Sequence, residues 1–399
     1  MHPRRLLTNA TLVLPDRLLS GAALLIDGEQ IAEIGPAEAL EGRQGAGGER
    51  CDLGGAHVLP GLVDLHTDTL EKEITPRPAA DFPIDVAVHE LDRKLVACGI
   101  TTVFHSLHFG YQEAEWSNRS RYTRRDVVAG VRALASGHLL ARTHVHLRYE
   151  VVGNGPASLG LVKEMLDARN VELLSFMDHT PGQGQYTRER FLAQRLREGM
   201  TPEQAEAVLT EKRSRPRLSA AEMREVADLA RERGIPIASH DDDTVEKVDE
   251  MRALGVSICE FPITLEAARH ANRSGLCVLG GASNVLRGGS LTGNLNVRDA
   301  IAGGAVAGLC SDYYPPAMLH AVFKLAREEV LPLWAAVATA TRIPAEAAGL
   351  SGIGALIPGR GADLIVVRLR GETPVVEQTF VRGERVHAAG RERLGAQAA

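Results

Sequence analysis

Six ionisable side chains share one placement, and that placement gives the sequence its chemical meaning. His66 closes the apolar run HVLPGLVDLH, and Asp68 stands two residues further on. Glu150 follows VHLRY, His179 follows LLSFMD, His240 follows IPIAS and Asp312 follows AGLCS. Each falls where an apolar, strand-like run ends. Residues two apart on a strand point to one side, so His66 and Asp68 face the same space. Three imidazoles and three carboxylates converging there suit one or two divalent cations, zinc first, with manganese or iron as alternatives. A lone histidine at a strand end is more often just a satisfied polar residue. Six residues obeying one rule argue for a metal. Asp64 and Asp178 read as local caps or acceptors, and His57, His89, His138, His270, His320 and His387 as structural or surface groups.

Such a set needs a scaffold that gathers strand ends. Between 57 and 354 the chain alternates apolar runs with amphipathic segments. The runs are HVLPGLVDLH, ITTVFHSL, HVHLRYEVV, VELLSFMDH, IPIASH, VSICEF, CVLGGASN and VAGLCSD. Near-continuous apolarity is expected of parallel strands covered on both faces. Thr201-Pro202-Glu203-Gln204 is a capping box with proline at the first helical position. Ser219 with Glu222 is another, and its helix should stop at Gly234 before Pro236 opens the next strand. Eight such units predict an α/β fold, a (β/α)8 TIM-like barrel, with its chemistry at the carboxyl ends of the strands. Short strands with turn signals fill 1–56 and 355–399. Neither half buries much alone, so the two termini are expected to form one small composite β-sandwich beside the barrel.

Bulk properties narrow the class. The chain has 399 residues, 44% apolar, and a net charge of −6, which leaves ample core material and no basic footprint for nucleic acid. No run reaches the roughly 20 apolar residues of a membrane span, and the N-terminus lacks an apolar secretion segment. Five scattered cysteines without a CxxC pair argue against a disulfide framework. A cytoplasmic enzyme is the expectation, and assembly into a homo-oligomer is left open.

LPGLVDLHTD resembles the first-strand signature of the amidohydrolase superfamily, where a short apolar strand ends in His-x-His or His-x-Asp. The stretches DLHTDTLEKEITPRP, GITTVF, HLRYE, FMDHTPGQGQY, SHDDDT, EFPITLEAA, ASNVLRGGSLTGN and SDYYPPAML narrow the likeness. They look like the alpha-D-ribose 1-methylphosphonate 5-triphosphate diphosphatases of the carbon–phosphorus lyase pathway. The likeness spans nearly all of 57–345. It implies metal-dependent cleavage of a phosphoric anhydride on an anionic phosphorylated sugar, giving the 5-phosphate and pyrophosphate. It also implies one ion at His66 and Asp68 with Asp312 beside it, and a second at His179 and His240 with Glu150 as bridging carboxylate. The superfamily layout puts the bridge on strand four and the histidines on five and six. The runs above give three, four and five instead. FHSLHFG carries His105 and His108 where close relatives are expected to have an acidic residue, and two roles stay open for them: tuning the pocket or extending its polar wall.

A triphosphate asks for an activated water and for cations along its length. Asp312 is the candidate to orient that water and accept its proton. Arg287 followed by Gly288, Gly289 and Ser290 offers a planar cation leading into a backbone anion nest. Lys72, Arg77 and Arg148 are further candidates for phosphate, with Asn284, Tyr313 and Tyr314 for ribose or phosphonate. Surface charge, or pairing with a carboxylate in the case of Arg148, is the plainer alternative. Two rival functions remain: an amidohydrolase cleaving a C–N bond with the same metals, and a barrel that has lost catalysis and serves as a scaffold.

Overall fold

The computed structural model describes residues 4–77, 79–110, 120–153, 156–182, 187–290 and 293–389. Parts of three motifs quoted above (Pro78, 183–186 and 291–292) lie outside them. The chain opens with β1 (Arg5–Val13), β2 (Leu18–Asp27), β3 (Gln30–Pro36), β4 (Glu49–Asp52) and β5 (His57–Pro60). Then come β6 (Leu62–Thr67), β7 (Ile100–Phe109), β8 (Arg142–Glu150) and β9 (Leu173–Met177). These are followed by β10 (Ile237–His240), β11 (Ile258–Glu260), β12 (Cys277–Gly281) and β13 (Gly308–Cys310). The chain returns through β14 (Leu364–Arg370), β15 (Thr373–Val381) and β16 (Glu384–Ala388).

Strands β6 to β13 pair in sequence order, every pair parallel. A parallel bridge from Thr67 to Asp312 joins the two ends of the ring. The eight runs are the eight barrel strands. The strand count of three, four and five for Glu150, His179 and His240 therefore holds, and the layout implied by the resemblance does not. Helix starts follow the sequence as well. Thr201 and Ser219 both close capping boxes, Pro202 is the first residue of its helix, and Gly234 takes the left-handed conformation (φ 69°) just past Ala220–Glu232.

The termini meet in one sheet of order β16-β15-β14-β5-β1-β2-β3, with β4 paired to β1. Leu7, Leu12, Leu24, Val58, Leu364, Val366 and Phe380 share its core. The run HVLPGLVDLH is therefore two strands. Its first four residues pair with β1 and β14, so the barrel begins at Leu62 and not at His57. The break falls at Gly61, where a Cβ would overlap the Thr101 side chain. Only glycine lets the chain pass that close to β7. No helix among the described residues is long and apolar enough to cross a membrane.

Candidate active site

The barrel floor is apolar: Val63, Leu65, Phe104, Leu173, Ala238, Ile258, Leu279 and Cys310 pack inside it. Alternation along the strands then decides what stands above. On β8, Val145, Leu147 and Tyr149 join the outer core between barrel and helices, so His146, Arg148 and Glu150 face inward. On β7, Val103, Leu107 and Phe109 face out and Phe104 in, which turns Ser106 and His108 toward the lumen and His105 away from it. The two histidines of FHSLHFG thus have different surroundings. His105 sits in the outer layer, where burial pushes its imidazole down to about 4.

Directly above the floor, His66, His146 and Glu260 are each wholly buried. His66 Nδ1 lies 3.1 Å from Glu260 Oε2. Its Nε2 has no hydrogen-bond partner among the described residues and stands 3.5 Å from Asp68 Oδ1. Burial alone would lower the His66 pKa, but the Glu260 carboxylate prevails and raises it to about 9. Burial pushes Glu260 up in turn, and the charge and hydrogen bond of His66 outweigh it, holding the carboxyl down to about 2. His146 is satisfied on both nitrogens, by Leu65 O and Ser106 Oγ at Nδ1 and by Ser175 Oγ at Nε2. Burial pushes it down to about 3, so it stays neutral.

Ligand-type atoms of His66, Asp68 and Asp312 lie within 4.8 Å of one another, as the sequence reading expects. Arg148 donates to Asp68 at 2.5 Å, and its charge overcomes the burial that would otherwise raise the Asp68 carboxyl, leaving it well below the usual range. Asp312 goes the other way: burial and the neighbouring Asp68 charge raise it. The rest of the expected set is arranged around His179. Glu150 accepts from His179 Nδ1 at 2.5 Å and from its backbone N–H at 3.0 Å. His108, Glu150 and His179 form one compact donor group, and His179, His240 and Asp241 another. Glu150 and His240 thus share His179 but no donor group with each other, so the expected trio of Glu150, His179 and His240 is not a single cluster.

A cavity of about 370 Å³ opens over these groups, lined by Asp68, Arg148, His179, His240 and Asp312 on one side and by Arg287, Gly289 and Ser290 on the other. The expected anion nest is not formed there. The N–H groups of Gly288 and Gly289 both bond back to Asn284 O, because Gly288 (φ 85°) is the left-handed cap of helix Ala282–Arg287. Asn284 lines the cavity, but its amide is committed to Leu295 O and the Val297 N–H, so it builds wall. Lys72 is exposed, 5.9 Å above the ring of cavity-lining Tyr313, which puts it at the rim. Arg77 is exposed and outside the cavity lining, as is Tyr314. Asp178 binds Thr180 and Arg217, and Asp64 joins β6 to β13 by accepting from the His66 and Ser311 N–H groups.

Sequence reasoning missed Glu260, His146 and Asp241. Glu260 ends VSICE at a strand terminus, so the rule that found His240 applies to it equally. Asp241 adjoins His240 directly. His146 sits within its strand, and no strand-end signal marks it.

The profile of the Amidohydrolase family matches residues 57–386. The chain is 33% identical over 386 residues to the alpha-D-ribose 1-methylphosphonate 5-triphosphate diphosphatase of Escherichia coli (strain K12), covering 96% of this chain and 100% of that one. A solved molinate hydrolase superposes with a TM-score of 0.70 at 14% identity, over 96% of this chain and 94% of the other. The N-acetylglucosamine-6-phosphate deacetylase of Pasteurella multocida does so with a TM-score of 0.64 at 15% identity, over 97% and 100%. At such identities these two structures speak to the fold alone.

Proposed function

This chain belongs to the amidohydrolase family, and from that premise we propose that it hydrolyses the α–β phosphoric anhydride of alpha-D-ribose 1-methylphosphonate 5-triphosphate, releasing pyrophosphate. The observation that carries the reading is the company its donor groups keep. Clusters fit for divalent ions share one cavity with Arg148 and Arg287, in a chain alike from end to end to a diphosphatase.

The donors suit the ions. His66 Nε2 is a buried nitrogen without a hydrogen-bond partner among the described residues, turned toward two carboxylates, and such an atom is costly unless something binds it. His66, Asp68 and Asp312 would hold one divalent ion, and His179 a second, with Glu150 on one side of it or His240 and Asp241 on the other. When bound, the ions would supply Lewis acidity and lower the pKa of a nearby water toward neutrality. Asp312, its carboxyl raised by burial and by Asp68, accepts the proton of the attacking water. Arg148 offsets the charge of Asp68 beside the reacting phosphoryl group. Arg287 holds the β- and γ-phosphoryl groups through its guanidinium fork, a role that does not depend on the glycine backbone. The α-phosphorus then faces the donor clusters.

Turnover in oxygen-18 water tests both substrate and bond. The expectation is pyrophosphate release with solvent label in the 5-phosphate product. Label in pyrophosphate would reverse the binding pose, and label in orthophosphate would make the protein a γ-phosphatase. Release of ammonia or carboxylate from cyclic amides or acetylated amines, with no pyrophosphate from the triphosphate, would replace this reading by C–N hydrolysis.

A further inference from the structure

We propose that His108, from the second barrel strand, is a direct ligand of a divalent cation together with Glu150 and His179. The inference rests on the divalent-metal reading above and adds a strand that this reading does not use.

Three observations carry it. First, His108 is 8% exposed and faces the lumen, and neither Nδ1 nor Nε2 has a hydrogen-bond partner among the described residues. Leaving a buried polar group unpaired costs about 1–3 kcal/mol. A buried imidazole with both nitrogens unpaired is an unusual thing to keep at the mouth of a barrel. The inner histidine one layer down, His146, has both nitrogens satisfied. Second, His108 Nε2 stands 3.6 Å from Glu150 Oε2. That is too long for a hydrogen bond, whose N···O distance is about 2.7–3.2 Å. It approaches the edge of a coordination tetrahedron, where two donors about 2.0–2.1 Å from one zinc ion lie roughly 3.3–3.4 Å apart, whereas the 2.5 Å contact of the same oxygen with His179 Nδ1 is a hydrogen bond that an ion would replace. His66 Nε2 and Asp68 Oδ1, in the other donor group, show the same kind of spacing at 3.5 Å. Third, the ring is held in place. It lies near-parallel to His179, with centroids 6.2 Å apart. The His108 backbone N–H donates to Glu71 at 3.4 Å, and Glu71 is itself paired with buried Arg124. The end of β7 is thereby fixed against helix Thr69–Ile74. His105 fails the same examination, since its strand position points it into the outer layer.

Zinc titration of the metal-free protein, read by competition with a chromophoric chelator, tests the assignment without using turnover. The wild type is expected to take up two equivalents. His66→Ala should lose one of them. His108→Asn should weaken the other by more than about 100-fold, beyond what removing a group that merely orients a ligand costs. His108→Cys, which keeps a donor, should recover much of that loss, and His105→Asn should lose nothing. X-ray absorption on the zinc-loaded proteins should show fewer imidazoles per zinc in His108→Asn than in the wild type. Two equivalents of wild-type affinity in a folded His108→Asn protein would overturn the proposal and leave the metal reading standing. A wild type that binds no zinc, manganese or iron would overturn both.

Discussion

Replacing Glu260 by glutamine asks how far the site depends on a residue that never reaches the cavity. Glu260 is wholly buried, and its Oε2 takes the Nδ1 side of His66 at 3.1 Å. That bond keeps the Nδ1 proton in place and leaves Nε2 to face Asp68 and Asp312. Glutamine preserves volume, so no cavity term enters, but it removes the charge and offers an amide that can present N–H to Nδ1. In that orientation Nδ1 must accept, so the ring keeps its remaining proton on Nε2, the atom an ion would need. A charge-assisted hydrogen bond is worth about 1.5–3 kcal/mol against about 0.5–1.5 kcal/mol for a neutral one, so the loss is of the order of 1–2 kcal/mol. Loss of a carboxylate behind a ligating histidine typically costs 10–100-fold in metal affinity, about 1.4–2.7 kcal/mol, and the two figures overlap. Zinc affinity of the metal-free variant should therefore fall about 10–100-fold at the equivalent that also responds to His66→Ala. Nitrogen-15 shifts should report a changed protonation pattern on the His66 ring. Circular dichroism should show an unchanged fold. Zinc affinity within threefold of wild type, with the His66 ring protonated as before, would refute the reasoning and make Glu260 a packing residue.

Three further outcomes are expected. His66→Ala should lose one of the two metal equivalents and most turnover while the fold survives; metal analysis with circular dichroism checks this, and retention of both equivalents and of activity would sink the assignment. Arg287→Ala should raise KM for a triphosphate about 10- to 150-fold and far less for a short phosphate ester, from the loss of a charge-assisted contact of about 1.5–3 kcal/mol; equal effects on both would mean a structural role. His144 should make folding acid-sensitive, because burial and then the charges of Arg132, Arg142 and Arg382 push its imidazole down to about 4. The unfolded chain binds that proton near pH 6.5 and the native one only near 4, so the contribution is intact above 6.5 and is lost as the pH falls toward 4. It amounts to up to about 3 kcal/mol, and urea titrations of wild type and His144→Asn at pH 7, 5.5 and 4 should show the variant losing less stability with acid.

What the sequence made legible, and what it hid, follows from the range of the forces involved. The barrel strands were readable because burial on both faces demands unbroken apolar runs, and helix starts because a capping box is complete within four residues. Ligand candidates were readable because a polar residue ending an apolar run is a local anomaly. The glycine nest was misread for the opposite reason. Arg287-Gly288-Gly289 is equally the signature of a helix end, and the short helix that uses up those N–H groups begins inside an apolar run that reads as strand. Which imidazole meets which carboxylate is settled across strands, by ladder register and by the tilt of rings. Glu260 behind His66, or Glu150 beside His108, spans 194 and 42 residues of chain, and no local pattern records such pairings.

Backbone conformation at the strand ends ties these levels together. Eight described residues other than glycine have positive φ, and three of them stand immediately at the barrel mouth: Asp241 (φ 58°), Phe261 (φ 54°) and Asp312 (φ 61°). Each costs of the order of 1–3 kcal/mol and persists only where the surroundings over-determine it. The surroundings do so here by one repeated device. The N–H of each residue bonds to the carbonyl of a neighbouring strand: Asp241 to Glu260, Phe261 to Leu279 and Asp312 to His66, all at 2.9–3.0 Å. The ladder is thus carried one residue (Asp241, Phe261) or two residues (Asp312) beyond the regular strand while the chain turns. Asp241 and Asp312 enter the donor clusters as a result, and the Phe261 ring packs on His66 and His240 at 5.0 and 5.2 Å. A chain that relaxed these turns would gain local backbone freedom and lose the ladder bonds, the ring contacts and two carboxylates together. The strain is therefore held by the barrel itself, and the geometry of the candidate site is a property of ring closure more than of any one loop.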